Sequence, residues 1–105
     1  MSDLLYAGVI EQINSQTIAE DFDFTGLLPS GVTVSSVVNS VTNAAGVTTT
    51  GVVTASALAT PIATLTIATG ATETTYLVKS IATGSNSKTY TLIKQLNVHL
   101  QGVYR

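Results

Sequence analysis

"DFDFTGLLPSGVTVSS", residues 21–36, decides the fold of this chain, because two readings compete for it. Asp21 and Asp23, with Glu20 beside them, could gather oxygens for a hard cation, which takes several oxygen ligands. Phe22 and Phe24 alternate with the two aspartates, however, and a period of two is that of a strand with one buried and one wet face. The strand reading accounts for all the positions at once: Phe22 and Phe24 point inward, Asp21 and Asp23 outward, and no metal site is expected. "LLPSG" then supplies a turn in which Pro29 sets one φ angle and Gly31 permits a positive one. "VTVSSVV" opens the next strand, with Val32 and Val34 on one face.

Working outward, the same period recurs. "GVVTASA" (51–57) and "ATLTIAT" (63–69) read as strands, and in the second Ala63, Leu65 and Ile67 alternate with Thr64, Thr66 and Ala68. "TTYLVKSIAT" (74–83) sets Tyr76 and Val78 against Leu77, Lys79 and Ile81, and "TGSNSK" (83–88) has the composition of a hairpin loop. The final run, "TYTLIKQLNVHLQ" (89–101), sets Tyr90, Leu92, Leu96, Val98 and Leu100 against Thr89, Thr91, Gln95, Asn97, His99 and Gln101. Lys94 interrupts its apolar face, so a bulge or an exposed stretch is expected there. About six or seven short strands with turn signals between them predict an all-β fold, a small antiparallel Ig-like β-sandwich over residues 21–105. Paired Cys and Trp are missing, so the Ig likeness is one of architecture alone.

Residues 1–20 read differently. Leu5, Val9 and Ile13 stand at helical spacing, but the segment is equally compatible with an extended chain. It is expected to be an N-terminal arm, either a frayed terminus or one whose Leu4, Leu5, Tyr6, Val9 and Ile10 dock on a partner. Val103 and Tyr104, near the other terminus, are candidates for the same role.

Composition narrows the function. The chain has 105 residues, no Cys, six acidic and four basic residues, and a formal net charge of −2. A single domain is expected, without disulfides or a thiol nucleophile. Nucleic-acid binding calls for clustered Lys and Arg, which are absent. No apolar run approaches the ~18 residues of a membrane-spanning helix, and the N-terminus lacks the basic region of a signal peptide. Between Asp23 and Glu73 there is no charged residue; Thr, Ser, Val, Ala and Gly fill the interval. Val and Thr suit pleated surfaces, whereas solubility usually rests on charge. Part of this surface is therefore expected to face neighbours.

No catalytic constellation emerges. His99 is the only histidine and falls on the polar face of its strand, where catalysis would need a nucleophile or an orienting acid beside it. The acids at 20–23 could approach it in a sandwich, but the sequence does not place them together. No G-x-S-x-G elbow, G-x-G-x-x-G turn or Walker pattern is present. Lys79, Lys88 and Lys94 would suit a Lys–Asn self-crosslink only if buried with an Asn and an acid. The expectation is a protein that is not an enzyme and carries no cofactor.

Taken together, "FDFTGLLPSGVTVSS", the Thr- and Val-rich middle and "ETTYLVKSIATGSNSKTYTLIKQLNVH" resemble a family of small Ig-like bacteriophage virion proteins, of the fibre–tail adaptor or capsid decoration type. The likeness covers roughly residues 20–100: an aromatic–Asp–aromatic strand, a Leu with a nearby Gly, a "TVSS" strand, a Tyr-x-Val strand, a small-residue turn and a last alternating strand. This chain departs from the pattern in having "TGATETT" where the family has a Gly-rich turn, and in its longer N-terminal extension. The resemblance implies a virion structural protein that docks on a major capsid protein or on tail or adaptor proteins, as a capsid decoration (cement) protein or a head/tail fibre adaptor. It implies a homo-oligomer on the particle, assembled in the host cytoplasm, with no nucleic-acid or membrane partner. The alternative class is a carbohydrate- or cell-surface-binding β-module, which would need exposed aromatic side chains on a strand face.

Overall fold

The computed structural model describes residues 2–13, 17–50, 52–68 and 74–99. These form seven strands: β1 (Ser2–Ile13), β2 (Thr17–Asp23), β3 (Val34–Asn43), β4 (Val53–Ala59), β5 (Ile62–Ala68), β6 (Thr74–Gly84) and β7 (Thr89–His99). They make two sheets, ordered β1-β7-β6-β3 and β2-β5-β4, packed as a β-sandwich. The expected all-β sandwich is present: β3, β6 and β7 lie in one sheet and β2, β5 and β4 in the other. All pairings are antiparallel except that of β1 with β7, which is parallel.

The alternation in sequence is what fills the core. Phe22 and Phe24 are fully buried, as are Leu65 and Ile67 of β5, Val78 and Ala82 of β6, and Leu96 of β7. Ala63, Leu92 and Val98 are almost so. Burying each large side chain contributes about 1.5–3 kcal/mol, so these two facing rows supply most of what holds the sheets together. Gly31 takes φ +83° in the turn after Pro29, a conformation L side chains rarely adopt, as the "LLPSG" reading requires. β3 begins at Val34, leaving Val32 in the turn.

The expected N-terminal arm divides between the two sheets. Residues 2–13 form the edge strand beside β7, and the boundary expected at residue 20 falls inside β2. The cause is tertiary: β7 offers a ladder along its whole length, and parallel pairing runs from Ser2 opposite Thr89 to Ile13 opposite His99. Pairing slips by one residue between Tyr6 and Gly8, where Gly8 takes φ +130°. The irregularity expected near Lys94 therefore lies in the neighbouring strand, since Gly8 is the residue opposite Lys94.

Polar ties join the sheets as well. Gln12 of β1, buried among apolar groups, donates from Nε2 to the Ile67 carbonyl of β5 at 3.1 Å. Val34 N–H at the start of β3 donates to Thr60 Oγ1 in the β4–β5 turn at 2.8 Å. Lys94 of β7 reaches Glu20 of β2 at 2.6 Å. A buried polar group stabilises when it is satisfied and costs when it is not, so these ties also select one alignment of the sheets.

Candidate functional site

The opening acids do not converge. Glu20 pairs with Lys94, Asp21 accepts from Thr64 Oγ1 at 2.7 Å, and Asp23 accepts from the Thr25 backbone N–H at 2.9 Å and from the Thr25 hydroxyl. Those two bonds hold the Asp23 carboxyl below its ordinary pKa, and they fold the chain back at the end of β2. Among the described residues no group of three or more His, Asp or Glu side chains could hold a metal ion.

His99 is not brought to these acids. Its Nε2 lies 2.6 Å from Glu11 Oε1 of β1, an ion pair when the imidazole is protonated. Glu11 Oε2 also accepts from Asn97 Nδ2 at 2.9 Å, and Asn97 Oδ1 accepts from Gln95 Nε2 at 3.0 Å and Thr75 Oγ1 at 3.3 Å. This ladder crosses the solvent side of β1, β7 and β6 and clasps the parallel edge strand. The His99 and Asn97 hydrogen bonds hold the Glu11 carboxyl below its ordinary pKa. A depressed carboxyl contributes stability that is present above its unfolded-state pKa and lost as pH falls through the folded one. Melting temperature should therefore fall as pH drops below the ordinary carboxylate range. Glu11→Gln should make that slope shallower, and superimposable acid titrations of the two proteins would refute a role for the clasp.

The residues expected to dock on a partner separate. Ile10 is 4% exposed and belongs to the core, so it is unavailable to a partner; its register opposite Leu96 puts it on the inner face. Val9, its neighbour, is 59% exposed. Leu4, Leu5 and Tyr6 sit in β1 opposite Thr91, Leu92 and Ile93, with side chains outside the described set. Val103 and Tyr104 lie outside the described residues.

A surface that residue-by-residue reading missed lies on the opposite flank, where β3 and β4 adjoin across the gap between sheets. Both are edge strands, and neither carries a charged residue. β2, by contrast, carries Glu20, Asp21 and Asp23, and β1 carries Asp3 and Glu11. The uncharged elements also hold three of the large apolar side chains that are exposed: Val38 of β3 at 66%, Val47 in the β3–β4 connection at 58% and Leu58 of β4 at 39%. Val47 is presented on a fixed turn. Asn43 Oδ1 accepts from the Ala45 and Val47 N–H groups, and Asn43 N–H donates to the Val47 carbonyl at 2.9 Å. The uninterrupted absence of charge between Asp23 and Glu73 was the signal in the sequence.

Two hollows flank this region. One, of about 300 Å³, is lined by Leu28, Pro29, Val32 and Pro61 with hydroxyls of Thr25 and Thr60 at its rim. The other, of about 220 Å³, is lined by Asn39, Val41, Val53 and a run of threonines. Neither has an aromatic side chain in its lining. Comparison of the chain with protein-family models, with curated proteins and with solved structures returns no match.

Proposed function

We propose that this protein is a non-enzymatic structural component of a bacteriophage virion, a β-sandwich that docks on the particle as a capsid decoration protein or as a head/tail fibre adaptor. One observation carries the reading. A folded, preorganised flank made of β3, the turn holding Val47, and β4 exposes Val38, Val47 and Leu58 without a single charge. Solubility normally rests on surface charge, so an uncharged flank of this kind suits a surface that is covered by a neighbour. On a symmetric particle many copies bind together, so modest contacts add up. The sequence resemblance to small Ig-like virion proteins agrees with this.

A glycan-binding module is less well supported. Tyr76 and Tyr90 are 7% and 2% exposed, and both Phe side chains are fully buried, so none of these offers a ring to a sugar.

Electron microscopy of particles of the phage that encodes the chain tests the proposal. Density for the sandwich should repeat with the symmetry of the head or tail. Val38→Lys, a surface change that leaves the core alone, should reduce occupancy by at least about tenfold if desolvated apolar contact at that site is needed. Particles without the protein, or full occupancy by the lysine variant, would overturn the docking surface named here.

A further inference from the structure

We infer that this protein pairs with a second copy of itself through the free edge of β4, antiparallel about a two-fold axis near Ser56, so that two three-stranded sheets run on as one. The inference does not rest on the virion assignment; it rests on how the four sheet edges differ.

Among the described residues β4 is hydrogen-bonded to β5 and to no other strand. In an antiparallel ladder, alternate residues of an edge strand turn their N–H and C=O groups away from their partner, so β4 presents an unpaired row to solvent. Residues 54–59 are exposed on both faces. Soluble proteins blunt such edges with charge, Pro, bulges or a covering segment. Two of the other three edges are blunted by charge. β2 carries Glu20, Asp21 and Asp23; β1 carries Asp3 and Glu11 and is irregular at Gly8. β3 is uncharged and regular from Ser36 to Val41, but it is interrupted at both ends, by a register shift between Val34 and Ser36 and by a bridge from Thr42 to Thr48. β4 shifts only at its start, between Val53 and Ala55. From Ala55 to Ala59 it is regular, uncharged and free of Pro.

Charge selects the occupant. The chain is net acidic, and two copies meeting at the β2 edge would set Asp21 and Asp23 against their counterparts. Like charges directly opposite destabilise a ladder. At β4 the same residues can face themselves without that cost, which an isologous two-fold contact demands. With Ser56 at the axis, Ala57 of each copy faces Ala55 of the other. These small side chains fit one another on either face, and the main-chain ladder supplies the specificity, as in strand addition generally. The contact closes on itself: once two β4 edges are joined, neither remains free.

Sedimentation of the purified full chain tests this at concentrations up to about 1 mM, because an edge-only contact falls at the small end of interface sizes. The wild type should shift from monomer to dimer and stop there. Ser56→Lys and Ser56→Glu, both at an exposed position, should each weaken association by at least about tenfold through like-charge apposition. An equimolar mixture of the two should restore it. Circular dichroism of each variant should match the wild type. A wild type that stays monomeric overturns the inference, as does a dimer indifferent to charge at residue 56. A monomeric protein that still occupies particles would overturn the pairing and leave the docking proposal standing. A dimer lost in Ser56→Lys, from a protein that binds no particle, would do the reverse.

Discussion

Phe24→Ala should destabilise the protein by about 3–5 kcal/mol, the range for truncating a buried Phe. The upper part of that range is expected, because the site cannot collapse around the missing ring. Phe24 is fully buried, and its main chain is held from both sides: its N–H donates to the Pro61 carbonyl at 2.9 Å, and its carbonyl accepts from Leu27 and Leu28 N–H at 2.9 and 3.1 Å. Those bonds persist in the variant and keep the backbone around the cavity in place. For a domain of about this size each kcal/mol is worth roughly 4–8 °C, so the melting temperature should fall by about 12–40 °C. Urea unfolding checks the free energy directly. Val38→Ala serves as the internal comparison: Val38 is 66% exposed, and its truncation should stay within about 0.5 kcal/mol of wild type. If Phe24→Ala unfolded at the wild-type midpoint, the aromatic row would not be the inner face of β2.

Phe22, Phe24, Ala63, Leu65 and Ile67 were legible because each stands in an unbroken alternation, and a period of two leaves only one choice of inner face. Tyr90 and Leu92 followed from an alternation that only Lys94 interrupts, whereas Leu77 and Ile81 opposite Tyr76 and Val78 left the inner face of that strand open. The turns were legible for a different reason: Gly31 supplies a positive φ, and the loop before β7 was marked by its Gly, Asn and Ser composition, although its positive φ falls on Ser87. β1 was not legible. Its apolar residues fit a helix and a strand about equally well, and the deciding partner, β7, lies at the far end of the chain. Ile10 was consequently placed on a docking surface when it belongs to the core. The pairing of Glu11 with His99 was hidden by the same distance in sequence. The uncharged flank was half legible: composition announced it, but only the topology shows that β3 and β4 are both edges and adjoin. Without that, a charge-poor interval cannot be told from a buried one.

Lys94→Ala should cost about 2–3 kcal/mol, somewhat less than the 3–5 kcal/mol for breaking a fully buried pair, because Glu20 retains some access to solvent. In the alternation of β7, Lys94 reads as an interruption, yet it stays on the inner face, opposite Val78 in the register of β6. Its stem crosses the sandwich, and its ammonium leaves the apolar layer at the β2 edge. There Nζ donates to Glu20 Oε2 at 2.6 Å and to the Asp21 carbonyl at 2.7 Å, and lies 4.8 Å from the centre of the Phe22 ring. The side chain is 13% exposed against 31% for Glu20, so removing the lysine leaves a carboxylate and a carbonyl partly desolvated and unpaired. Lys94→Met keeps the stem against Phe22 and should recover part of the loss. Lys94→Ala combined with Glu20→Gln should be less destabilising than the sum of the two single changes, with a coupling of about 1–2 kcal/mol, as expected for residues in direct contact. Chemical unfolding of the four proteins in that cycle measures it. Additive losses would mean that the lysine acts through packing alone, and that the sheets are aligned by Gln12, Thr60 and the apolar rows without the ion pair.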